Sequence, residues 1–125
     1  MEDKKIAIIA CSGASNTGQI TNEVAKKIIK NLKNTVMVCL PGVPLEAKTS
    51  MDKINQADIV VAIDGCPIKC ANRLLEKYTG RKPDIETNIM TDYNVKKSSD
   101  PLSYTDEEAE RIAQDLIKRI KQLQS

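Results

Sequence analysis

The sequence contains no histidine, phenylalanine or tryptophan, and only three tyrosines, Tyr78, Tyr93 and Tyr104. Without histidine, the usual near-neutral general base and the commonest nitrogen ligand of metals are both missing. Acid-base chemistry is then left to carboxylates, thiols, lysines and tyrosines, and a metal site must be built from sulfur and oxygen. With so few aromatics, the core must be packed from Ile, Val, Leu, Ala and Met. An excess of one charge is missing too, since nineteen Lys and Arg face seventeen Asp and Glu for a net charge of +2. That balance offers no long-range attraction to a polyanion, so no nucleic-acid partner is indicated. No apolar run approaches the roughly 20 residues that span a bilayer, so no membrane association is expected. The early run Ile6 to Ala10 is short for a secretory h-region and follows two acids as well as two lysines, which makes a cytoplasmic location the expectation. Ile8-Ile9-Ala10-Cys11 superficially resembles a lipoprotein cleavage box, but it reads better as a strand feeding a loop.

What is present is a chain of 125 residues with 41% hydrophobic and 29% charged residues, enough for one domain over 1–125 with a sizeable core. Lys5 to Ala10 reads as a strand buried on both faces, ending at Cys-Ser-Gly-Ala-Ser-Asn-Thr-Gly. A helix is expected from about Gly18 to Leu32, with Ile20, Val24, Ile28 and Leu32 on one stripe. Thr35 to Leu40 is a second strand, stopped by Pro41-Gly42. Leu45 to Ala57 reads as a helix with Ala47, Met51 and Ile54 inward. Asp58 to Asp64 is the strongest strand, Ile-Val-Val-Ala-Ile between aspartates. Pro67 suits a first helical position, so Cys66 is expected to cap a helix that runs to about Tyr78 and stops at Gly80. Asp84 to Met90 is a fourth strand whose polar residues suit an edge. A loop over 92–104 leads to a capping box at Thr105 and Glu108, which opens a last helix with Ile112, Leu116, Ile120 and Leu123 inward. This βαβαβαβα order implies a three-layer, doubly wound α/β fold, Rossmann- or flavodoxin-like, with a mostly parallel four-stranded sheet in the order 2-1-3-4.

Such sheets gather functional groups beyond the carboxyl ends of their strands, where strand order reverses. Cys11 follows the first strand, Cys39 nearly ends the second, Cys66 follows the third, and Cys70 stands one turn beyond it. Neighbouring strand ends are about 4.8 Å apart. A tetrahedral site with ~2.3 Å zinc-sulfur bonds needs sulfurs roughly 3.8 Å apart, so convergence on one metal ion is geometrically permitted. A helix beginning at Cys66 would place Cys66 and Cys70 on one face and favour their thiolates through its dipole. Two disulfides would need an oxidising compartment. Buried cysteine as a small hydrophobe is the plain alternative for any one of the four, and convergence is what argues for a shared thiolate site.

The first loop carries other readings. Ser12, Gly13, Ser15, Asn16, Thr17 and Gly18 either bind an anion through backbone amides or cover Cys11. Ser15 to Thr21 resembles the flavodoxin phosphate loop with its last threonine one place late, but the chain lacks the aromatics that sandwich a flavin. A phosphatase nucleophile at Cys11 lacks an arginine in the loop. Asp64 is either an acid or base beside the thiols or the residue that shapes the turn before Gly65. Lys69 and Arg73 either attract an anionic ligand or are plain surface residues.

Cys-Ser-Gly-Ala-Ser-Asn-Thr-Gly-Gln at 11–19, Asn22-Glu23, Cys39-Leu-Pro-Gly42 and Ile63-Asp-Gly-Cys-Pro-Ile-Lys-Cys-Ala71 together resemble the DGC family, named for its Asp-Gly-Cys motif. That family is described as zinc-binding on the strength of four potential chelating cysteines. The resemblance implies Cys11, Cys39, Cys66 and Cys70 as ligands of Zn2+ with a structural, storage or delivery role, and it names no reaction. The residues themselves leave two alternatives open. One is an iron-sulfur cluster with redox or sulfur-transfer chemistry, and the other is a metal-free dithiol redox centre. A metal ion is the expected partner; no protein partner or substrate is named.

Overall fold

A computed structural model describes residues 4–125. The sheet has four strands, β1 (Ile6–Ala10), β2 (Thr35–Val38), β3 (Ile59–Asp64) and β4 (Ile85–Asn88), in the order β2-β1-β3-β4. Every pairing is parallel, with Ile8 opposite Met37 on one side and Val61 on the other, and Ile63 opposite Thr87. β1 and β3 are buried at every position, as their unbroken Ile, Val and Ala runs require of central strands. β2 and β4 are shorter and carry exposed positions, the pattern of edges.

The helices are α1 (Asn16–Asn31), α2 (Lys48–Gln56), α3 (Cys70–Thr79), α4 (Ile89–Tyr93) and α5 (Asp106–Gln124). Side chains alternate across a strand, so β1 divides its residues between two cores. Ile6, Ile8 and Ala10 join Ile20, Val24, Ile28, Ile112, Leu116 and Ile120 under α1 and α5. Ala7 and Ile9 join Ile54, Leu75 and Val43 under α2 and α3. The three layers thus follow from sheet alternation meeting helical stripes. Among the described residues no helix is long and apolar enough to cross a membrane.

α5 opens on the expected capping box. Thr105 Oγ1 accepts the Glu108 amide at 3.1 Å, and Glu108 Oε1 accepts the Thr105 amide at 2.9 Å. Replacing Thr105 with alanine removes one of these acceptors and is expected to cost about 1 kcal/mol. Urea unfolding should show a lower midpoint with an unchanged slope, and an unchanged midpoint would mean that the box adds nothing.

Four boundaries differ from the sequence reading. α2 starts at Lys48, not Leu45: Leu45 is 78% exposed, and Glu46 takes a positive φ of 52° that cannot continue a helix. β4 stops at Asn88, whose Oδ1 accepts the amides of Met90 and Thr91 and so begins α4 inside the stretch read as strand and loop. Leu123, expected to face inward, lies 42% exposed on the last turn of α5, so the burial on that turn is at Ile120 and Gln124 instead. The fourth difference, at the start of α3, bears on the site.

Candidate functional site

β1 and β3 are neighbours although α1, β2 and α2 separate them in sequence, so the strand order reverses between them. Cys11 sits at that point. Its amide donates to Ile63 O at 3.0 Å, continuing the β1–β3 pairing one residue past the strand. Its Sγ accepts the Gly65 amide at 3.3 Å, which brings it within one residue of Cys66 along the chain. Thr21, on the first turns of α1, closes the other side. Its Oγ1 lies 3.8 Å from Cys11 Sγ, accepts the Ser12 amide at 2.9 Å and donates to Gly18 O at 2.7 Å. A hydroxyl and an amide thus both face the sulfur.

After β3 the chain does not enter a helix at Pro67. Residues 66–69 form a turn in which the Lys69 amide donates to Cys66 O at 3.1 Å. Lys69 adopts the left-handed conformation, φ 56°, and α3 begins only at Cys70. Asp64 explains the delay. Its carboxylate accepts the amides of Ala71 at 2.7 Å and Asn72 at 3.1 Å, capping α3 from the strand end and taking the role expected of Cys66. Cys66 is therefore partly buried outside the helix, and Cys70 is exposed at its first position.

The dipole argument for these thiols does not hold at Cys70, whose pKa is pushed up. Burial is the first cause, followed by the negative potential of Cys11, Asp64 and Cys66 nearby; its own backbone hydrogen bonding lowers it only in part. Asp64 is itself pushed up by burial, against the opposing pull of the Ala71 and Asn72 amides, then of Lys69. The capping carboxylate thus offsets the positive end of the helix at which Cys70 stands.

Cys11 Sγ thus lies against the amide just before Cys66, and Cys66 and Cys70 flank the turn that follows β3. Cys39 follows β2, the strand on the other side of β1 from β3. Ile9 pairs with Val38, so Cys39 lies level with Ala10. It is exposed, and its carbonyl accepts from the Gly42 amide and Ser50 Oγ at 3.0 and 3.1 Å. Among the described residues no three Cys, Asp or Glu side chains are placed to hold a metal ion together.

The first loop is largely occupied with its own structure. Ser15 Oγ caps α1 by accepting the Gly18 amide at 3.2 Å and lies 3.1 Å from Thr17 Oγ1. Asn16 is buried and pins the distant segment before α5: its Nδ2 donates to Lys96 O and Ser103 O, and its Oδ1 accepts the Ser98 amide at 2.6 Å. The amides of Ser12, Asn16 and Gly18 all have internal acceptors. Gly13, whose carbonyl accepts Gln19 Nε2, stacks on Gly18 beside Cys11 Sγ. Arg73 Nη1 reaches only Ile68 O at 3.5 Å, and Lys69 Nζ lies 3.9 Å from Glu86.

Sequence reasoning missed Thr21 and Gly65 as partners of Cys11. Thr21 was legible only as a misplaced flavodoxin threonine, and Gly65 as part of a motif. It also passed over Asn88, because polar residues in the fourth strand were read as marks of an edge.

A model of the DGC domain matches residues 7–116. The "Anaerobic and virulence modulator AnvM" of Pseudomonas aeruginosa is 27% identical over 77 residues, a stretch that covers 62% of this chain and 58% of that protein. No solved structure matches the chain.

Proposed function

The chain belongs to the DGC domain family, and on that premise we propose that its four cysteines bind one thiophilic metal ion, zinc, for a structural, storage or delivery role. The hydrogen bond from the Gly65 amide to Cys11 Sγ carries this reading, because it ties the ends of β1 and β3 together through a sulfur beside the Asp-Gly-Cys turn. The donor set suits the ion: four reduced sulfurs in a chain without histidine. Cys11, Cys66 and Cys70 would supply three ligands and Cys39 the fourth. Cys39 and Cys70 are the exposed pair, and the turn at 66–69 is the segment between two of the ligands. Four thiolates would leave zinc no open position for water, hence a role other than hydrolysis.

A second reading places an iron-sulfur cluster on the same thiolates. Four reduced thiolates in a chain without histidine suit such a cluster as well as they suit zinc. The relative AnvM, named an anaerobic and virulence modulator, points the same way; the match spans 58% of that protein.

Elemental analysis for zinc, iron and acid-labile sulfide, with an absorption spectrum, on protein purified without oxygen or added metal tests both. One zinc per chain without visible absorbance is the expected result. Iron with sulfide and a brown colour would replace zinc by the cluster. Neither metal, before or after anaerobic reconstitution, would sink both and leave a dithiol centre.

A further inference from the structure

Between α4 and α5 the chain runs through 95–104 without forming a helix or a strand. Both ends of this strap are anchored, since Val95 is buried in the core under α1 and α5 and Tyr104 packs against the same core. Between the anchors, Lys96, Lys97 and 99–103 are exposed.

One residue holds the exposed stretch down. Among the described residues, every hydrogen bond from 95–104 to another part of the fold ends on Asn16. Its Nδ2 donates to Lys96 O at 2.9 Å and to Ser103 O at 3.0 Å, its Oδ1 accepts the Ser98 amide at 2.6 Å, and its own amide donates to Ser98 O at 3.2 Å. The other hydrogen bonds of the strap are internal, from the Asp100 amide to Ser98 Oγ and from the Leu102 amide to Asp100 Oδ1. A loop that carries its own bonds and is tied to the fold through one residue opens as a unit.

Asn16 also begins the helix that closes over the strand switch. The next two residues of α1, Thr17 and Gly18, lie backbone to backbone against Gly65, where a Cβ would fall 2.6 Å from Thr17 O and 2.7 Å from the Gly18 nitrogen. Gly65 in turn donates its amide to Cys11 Sγ. Strap, Asn16, first turn of α1, Gly65 and Cys11 therefore form one contiguous line of contacts. Packing this close does not stretch by degrees, so the turn is either seated on Gly65 or displaced from it.

We infer that 95–104 is a strap latched by Asn16, whose closure seats the first turn of α1 on Gly65 and so limits access to the Cys11 thiol. Lifting the strap breaks the bonds that hold Asn16, frees the turn to move off Gly65 and exposes Cys11. Whatever draws the strap away is thereby felt at the strand switch. The inference does not depend on a metal at the cysteines.

Two residue-resolved rates on the full-length chain test it. One is hydrogen exchange at the Ser98 amide, followed by NMR. The other is alkylation of reduced Cys11 by iodoacetamide, followed by mass spectrometry, with a chelator present to free the thiols and the exposed Cys39 as internal reference. In the parent protein the Ser98 amide should be protected, yet exchange faster than the amides of β3, because the strap opens without the sheet. Asn16→Ala removes three side-chain hydrogen bonds and places a good helix former in α1. It should speed Ser98 exchange at least about tenfold and Cys11 alkylation several-fold relative to Cys39. Gly80→Ala, a strained position at the end of α3, should speed exchange in β3 and leave both the Ser98 and the Cys11 rates as in the parent. Should Asn16→Ala fail to fold, Asn16→Asp keeps an oxygen for the Ser98 amide, loses both Nδ2 donors and should raise the same two rates by smaller factors. An unprotected Ser98 amide in the parent overturns the latch. Faster Ser98 exchange with Cys11 alkylation unchanged overturns its link to the thiol, and Gly80→Ala raising all three rates alike would replace strap opening by global unfolding.

Discussion

If the cysteines bind zinc as proposed, replacing Cys66 with serine should lower zinc affinity by about two to three orders of magnitude. Structural zinc sites in small domains bind with apparent free energies of roughly 10–16 kcal/mol, so each of four thiolates carries on the order of 3–4 kcal/mol. Each 1.4 kcal/mol is tenfold in affinity. Serine preserves the size of the side chain but offers a hydroxyl that does not ionise near neutrality. The backbone of the turn is unaffected, since Cys66 contributes only its carbonyl, which accepts the Lys69 amide. The loss should therefore appear in competition with a chromophoric chelator while the far-UV circular dichroism stays as in the parent protein. Cys39→Ser is the informative partner experiment. Cys39 follows β2 and is exposed; a four-ligand site requires the same large loss there, whereas a three-ligand site would tolerate the change. Stoichiometric metal in the Cys66 variant at unchanged affinity would defeat any metal site built on the Asp-Gly-Cys turn, zinc or cluster alike.

The parts of the fold that were readable from residues alone are those decided by local rules or by unbroken burial. β1 and β3 are runs of Ile, Val and Ala without polar interruption, and such runs have no stable place except the middle of a covered sheet. The start of α5 was written in four residues, because both halves of the capping box lie within one turn. The misread boundaries were decided by groups distant in sequence or by a single backbone conformation. Pro67 is a sound first helical residue in isolation, yet α3 begins three residues later because a carboxylate on the preceding strand claims the amides of Ala71 and Asn72. In sequence Asp64 reads as an acid or base or as a turn residue, and in the fold its carboxylate holds the start of α3 in place.

Strand order sets Cys11 beside the turn that carries Cys66, and this could be reasoned from the alternation of elements. Which sulfur meets which amide could not, because it depends on how closely α1 approaches the end of β3. Asn88 shows the same limit from the other side. An asparagine that ends an edge strand looks like a harmless exposed residue until the helix after it turns the side chain inward.

That close approach of α1 yields the second large effect, at Gly65. A Cβ placed there would lie 2.6 Å from the carbonyl carbon and oxygen of Thr17 and 2.7 Å from the Gly18 amide nitrogen. All three are backbone atoms of the first turn of α1, so no side chain can swing aside to relieve the clash. Retreat of α1 is blocked as well, because Gly18 is packed against Gly13, whose N, Cα and C lie 2.6–2.7 Å from a Cβ position on Gly18. Two glycines thus let three stretches of backbone stack, and the Gly65 amide reaches Cys11 Sγ because of it. Gly65→Ala is expected to cost about 3 kcal/mol, at the upper end for overpacking, read as a lower urea midpoint. If the proposed thiolate site is right, it should also weaken zinc binding, since the bond between Gly65 and Cys11 opens with the clash. Gly80→Ala provides the contrast. Gly80 ends α3 at φ 71° with nothing within 4 Å of its Cβ position, so alanine there meets only the left-handed strain of about 1–2 kcal/mol and leaves the thiols untouched. If the two variants melted alike and bound metal alike, close packing of α1 against the β3 end would not be what sets the cysteine site. A loss of metal confined to Gly65→Ala would show that backbone contact at the strand switch holds Cys11 in place.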